Sequence, residues 1–172
     1  MSTSATLESP VVGGAADASP KRLALVASKG TLDEAYPPLI LATTAASLGW
    51  EVGIFFTFYG LDILNKKKLN KLKVPSLANP AMPVPVPNIV GMMPGMTSVA
   101  TAMMKGWMKK SKIPMVKEFM DMSRELGVKL FACSTTMGVM GVEENDLIEG
   151  VEIAGAAAFL DYAGDSDVQL FI

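Results

Sequence analysis

The side chains able to do covalent chemistry reduce to one thiol. Cys133 is the single cysteine of 172 residues, in the stretch Leu126-Gly-Val-Lys-Leu-Phe-Ala-Cys-Ser-Thr-Thr-Met137. The apolar run reads as a buried strand and the hydroxyl residues as the first turn of a helix. That puts the sulfur at the sheet edge where open α/β folds hold their reactive groups. Backbone N–H groups in such a turn favour the thiolate, which is the nucleophile. Ser134, Thr135 and Thr136 are therefore the candidate thiolate-supporting residues, through their N–H groups and the threonine hydroxyls. Two readings of the thiol stand side by side: capture and hand-off of a group, or burial as a small hydrophobe. The hydroxyls also have an ordinary use as helix caps.

Subtraction narrows the chemistry further. The chain has no histidine, which removes Ser-His-Asp, Cys-His and zinc-hydrolase sites. A hydrophobic share of 50% and a net charge of −2 argue against a nucleic-acid binder and against a disordered acidic protein. A lone cysteine closes no intrachain disulfide, and no signal-peptide pattern opens the chain, so a cytoplasmic location is the expectation. Ser28-Lys-Gly-Thr31 places a glycine and a lysine between a strand and a helix but lacks the full phosphate-loop pattern, so it reads as a structural turn. Asp33, Glu34, Glu143, Glu144 and Asp146 read as solvated helix ends. No cofactor and no metal is expected.

These groups are positioned by an alternation of short elements. Residues 1–20, rich in Ser, Ala, Gly and Pro, read as a mobile tail. Residues 22–28 and 51–58 are apolar runs expected as strands buried on both faces. Between them lies a helix, with Thr31 and Glu34 spaced as a capping box. Pro37 and Pro38 force that helix either to start near Tyr36 or to kink. A later helix carries Met115, Phe119, Met122 and Leu126 on one face as core. Strand 128–132, a short helix 135–140, a strand 150–153, an Ala-rich helix 154–163 and a strand 168–172 follow. The order predicts one α/β domain over residues 21–172: an open parallel sheet of about five strands with helices on both faces, joined by right-handed crossovers.

One segment departs from that rhythm. Residues 66–112 form a Lys-flanked Met/Pro-rich insertion, whose stretch 74–104 carries no charge. Three roles are open to it: contact with an anionic membrane surface, a mobile lid, or a subunit interface. The repeated prolines weigh against a transmembrane helix. Met92, Met93, Met96, Met103 and Met104 suit a lid or interface, because methionine repacks readily.

Taken in order, Ser28-Lys-Gly30, Phe55-Phe-Thr-Phe-Tyr-Gly-Leu61, Gly127-Val-Lys-Leu-Phe-Ala-Cys133, Met137-Gly-Val-Met-Gly141, Leu147-Ile-Glu-Gly-Val151, Gly155 and Leu170-Phe-Ile172 carry a resemblance. The chain resembles the DsrE/DsrF-like sulfur-trafficking family, in particular its larger branch with a Met-rich insertion. The resemblance implies a compact α/β fold, homo- or hetero-oligomers, and a cysteine that carries sulfane sulfur as a persulfide. Only Cys133 matches that sulfur-bearing position. Some relatives have a second cysteine; this chain has none, which removes a resolving thiol from the same subunit and leaves peroxiredoxin activity without support. The expected function is a sulfur carrier or sulfurtransferase acting between donor and acceptor proteins, rather than a turnover enzyme. The alternative is a non-catalytic membrane-associated or oligomeric adaptor that uses the Met-rich segment and tolerates serine at position 133.

Overall fold

The protein is described by a computed structural model covering residues 19–75 and 95–172. The tail through residue 18, Met92, Met93 and most of the Pro-rich stretch lie outside the described residues. Five parallel strands, β1 (Arg22–Ala27), β2 (Glu51–Phe56), β3 (Lys129–Cys133), β4 (Val151–Ala154) and β5 (Val168–Phe171), form one sheet in the order β4-β3-β2-β1-β5. The helices are α1 (Tyr36–Ser47), α2 (Leu61–Leu64), α3 (Met96–Lys110), α4 (Val116–Glu125), α5 (Ser134–Met140) and α6 (Ala156–Gly164). The open parallel sheet predicted from the alternation is the observed one.

The strand order explains the layering. From β1 to β4 the chain steps one way across the sheet, so right-handed crossovers put every intervening helix on the same face. The step from β4 back to β5 reverses direction and sends α6 to the other face. Two cores result. The larger one joins Leu25, Ile54, Phe56 and Leu130 of the sheet to Leu39, Ile63, Val116, Met120 and Met137 of the helices. The smaller one joins Ala24, Phe55, Phe131, Cys133 and Ala154 to Phe159 and Ala163 of α6. Phe159 stacks on Phe55 with ring centroids 4.7 Å apart and meets Phe131 edge-on at 5.9 Å. Since α6 alone covers this face among the described residues, edge strand β5 keeps Phe171 75% exposed.

Local chemistry decides several boundaries. Pro37 and Pro38 sit in the first turn of α1, where the missing N–H groups have no intrahelical partner to lose. The expected capping box does not form. The helix begins five residues past Thr31, whose Oγ1 is buried without a partner, and Glu34 instead accepts a hydrogen bond from Lys29 Nζ at 3.0 Å. The apolar stripe expected on α4 is rotated by one residue. Val116, Met120 and Ser123 are the buried positions, while Leu126 is 42% exposed. The reason is that Met115 is the extended N-cap, outside the helix, so the face that meets α1 starts at Val116. Phe119 still reaches α1, edge-on to Tyr36 at 5.8 Å.

Helix α3 is 15 residues long and carries Lys105, Lys109 and Lys110. No helix among the described residues is long and apolar enough to cross a membrane.

Candidate functional site

Cys133 is both the last residue of β3 and the N-cap of α5, with extended backbone at φ −65° and ψ 110°. Its register partner across the ladder is Ala154, the last residue of β4. The chain leaves β3 toward one face, through α5, and leaves β4 toward the other, through α6. Adjacent strands with oppositely directed exits open a crevice at the carboxyl edge of a parallel sheet, and ligands of such folds bind there. The thiol therefore stands where β3 and β4 send the chain to opposite faces of the sheet. The first residues across the gap, Ala154 and Gly155, are small.

The sulfur is nearly enclosed, with Cys133 6% exposed and packed in the smaller core. Burial pushes its pKa up, but the donors nearest the sulfur outweigh that effect: the Thr136 hydroxyl and N–H, the Thr57 hydroxyl and the Thr135 N–H, although Cys133 as N-cap makes no side-chain hydrogen bond to the helix. The thiol pKa accordingly lies below its ordinary value. Hydrogen bonds to the charged form are the cause that favours a thiolate in a site with no histidine.

The three expected supporters divide. Thr136, 4% exposed, contributes both hydroxyl and N–H. Thr135 contributes its N–H while its side chain is exposed. Ser134 is exposed, with its Oγ turned toward Gly155, and gives the sulfur no hydrogen bond. The methionines of α3 are elsewhere: Met104 packs against the larger core, Met103 is exposed, and Met96 opens the helix. The described residues clustered with Cys133 include no methionine.

Thr57 is the residue that sequence reasoning missed. It follows β2, and its Oγ1 lies 2.9 Å from Thr136 Oγ1. A tight turn holds it there: Thr57 N donates to Ala27 O at 3.0 Å, and Gly60 N donates to Ser28 O at 3.2 Å. A Cβ on Gly60 would run into the Ala27 carbonyl, so only glycine lets this turn close against β1. Phe58 pays for the geometry with a left-handed backbone at φ +46°, strain of the kind that collects at functional sites. The available signal was positional, a hydroxyl residue just past the carboxyl end of the strand next to β3.

Residues 19–171 match the model of the DsrE/DsrF/DrsH-like family. The chain belongs to that family. Among curated relatives it is 47% identical over 158 residues to the sulfur carrier protein DsrE2 of Allochromatium vinosum, covering 88% of this chain and 98% of that one. It is also 33% identical over 155 residues to the uncharacterized protein YrkE of Bacillus subtilis, covering 88% of this chain and 97% of that one. Among solved structures, the ychN protein of E. coli superposes with a TM-score of 0.54 at 13% identity, over 88% of this chain and 99% of that one. At that identity the likeness concerns the fold. DsrE-like membership and the five-stranded parallel architecture agree with what the ordered motifs implied.

Proposed function

We propose that this protein is a sulfur carrier that holds sulfane sulfur on Cys133 and passes it to an acceptor thiol. The Cys133 thiolate attacks the outer sulfur of a donor persulfide, forming the Cys133 persulfide and releasing the donor thiolate. An acceptor thiolate then attacks that outer sulfur and restores the Cys133 thiolate. Neither step needs a metal or a net oxidant. The observation that carries the reading is a thiol of lowered pKa at the β3/β4 crevice, held by Thr136, Thr135 and Thr57. The DsrE2 relative, named a sulfur carrier, supports it at 47% identity. Exposed Phe171, Leu170 and Leu160 on β5 and α6 support self-association of the carrier, which light scattering reads as a mass above one chain.

The test is intact mass after incubation with polysulfide. The native chain should gain sulfur and lose it to reductant, and Cys133→Ser should gain none. Equal gain by the serine variant, or no gain by the native chain from several donor types, refutes the proposal.

A further inference from the structure

Charge is sharply segregated along this chain. Between residues 63 and 117 every charged residue is a lysine, ten in all, although the net charge of the whole is −2. The fold gathers these lysines rather than dispersing them. Lys105 Nζ donates to Asn70 O at 3.4 Å, and Val74 N donates to Thr101 Oγ1 at 3.1 Å, so α3 lies beside the segment that follows α2. Lys67, Lys68, Lys71 and Lys73 line a cleft of about 310 Å³ together with Gly30, Thr31 and Asp62.

That cleft shares an edge with the thiol. Gly30 and Thr31 follow β1, Asp62 lies past β2, and Cys133 ends β3, so all three leave the carboxyl edge of the sheet. The far end of the lysine segment is tied to the loop after α5, where Lys66 N donates to Asp146 O at 2.9 Å. Three of the ten are paired, Lys68 with Asp62 at 2.6 Å, Lys67 with Asp146 at 3.1 Å and Lys117 with Asp121 at 2.6 Å. Lys71, Lys73, Lys109 and Lys110 are exposed and form no salt bridge among the described residues. Of the carboxylates on this edge, Glu34 is paired with Lys29, which leaves Asp33, Glu143 and Glu144 as opposing charge.

We infer that the lysine face is the docking surface for a sulfur-transfer partner that presents its reacting cysteine from an acidic surface. The inference rests on the carrier reading and adds the partner's chemistry to it. A thiol that is 6% exposed restricts the directions from which a partner's sulfur can reach it. A lysine-rich surface on the same sheet edge raises the local concentration of an oppositely charged partner and biases its approach. Sulfur moves as above: the Cys133 thiolate takes the outer sulfur of the partner's persulfide and the partner leaves as its thiolate.

The experiment loads the full chain with three short synthetic peptides, each holding one cysteine persulfide flanked by acidic, neutral or basic residues, and follows Cys133 by intact mass. The acidic peptide should load about tenfold faster than the neutral one at low salt, and the basic one slower. The preference should collapse in high salt, as surface charge is screened. It should also collapse in Lys71→Glu/Lys73→Glu, which should keep the native rate of alkylation by uncharged iodoacetamide. Equal loading of all three peptides by the native chain, or an unchanged preference in the double variant, overturns the docking inference alone. Flotation with phosphatidylserine vesicles in the absence of any peptide preference overturns it in favour of a lipid surface. Failure of every peptide to load Cys133 refutes the carrier reading, and the inference with it.

Discussion

Replacing both Thr57 and Thr136 by valine should raise the thiol pKa far more than either single replacement. The two hydroxyl oxygens lie 2.9 Å apart, so a proton sits between them, and two hydroxyls own only two protons. One therefore bridges the oxygens and one faces the sulfur. When either threonine is lost, the survivor turns its freed proton to the thiolate, and the sulfur keeps one hydroxyl donor. Only the double variant leaves it without any. A hydrogen bond to a charged group is worth about 1.5–3 kcal/mol, and a pKa unit about 1.4 kcal/mol. The double variant should thus shift the thiol up by about one to two units, and each single by less than about half a unit. The assay is the rate of iodoacetamide alkylation against pH, read as the midpoint of thiolate formation. Valine keeps the side-chain shape, so the fold should persist, with circular dichroism as the check. If each single variant shifts the midpoint by a full unit and the two shifts add, both hydroxyls bond the sulfur independently and the shared-proton argument is wrong. A double variant with an unmoved midpoint would refute the role of both hydroxyls.

Two further outcomes follow from the geometry. Phe159→Ala removes the ring stacked on Phe55 from the core that encloses the sulfur, so urea denaturation should show a loss of about 3–5 kcal/mol, and Cys133 alkylation should accelerate at fixed pH; unchanged reactivity would show that α6 does not gate the thiol. Because the Cys133 pKa is depressed in the fold, its contribution to stability is fully present above the unfolded thiol pKa and lost as pH falls through the folded one; the native chain should gain on Cys133→Ser as pH rises from neutral toward about 9, and a pH-independent difference between them would contradict the lowered pKa.

How much of this was legible beforehand differs by element. The three central strands could be read because a parallel sheet buried on both faces demands near-continuous apolar runs, and Arg22–Ala27, Glu51–Phe56 and Lys129–Cys133 supply them. The α1 start was readable down to its alternatives, since two adjacent prolines tolerate only the first turn. The α4 stripe was misread because 3.6-residue periodicity fixes a spacing but not a phase. Which of two neighbouring stripes is buried depends on where the N-cap falls and what α1 presents.

The sequence by itself determined the chemistry available to this protein. One cysteine and no histidine leave a thiol that the backbone and hydroxyls must activate, and the alternation of elements places it after a strand. Tertiary structure decided which groups do the activating. Thr57 is 76 positions from Cys133 in the chain and reaches it only because β2 pairs with β3 and both end at the same edge. Ser134, next in sequence, is exposed and turns its Oγ toward Gly155 across the strand ends. The crevice is equally a tertiary fact: it exists because the chain reverses direction after β4, and no local pattern in the residues around Cys133 encodes that reversal.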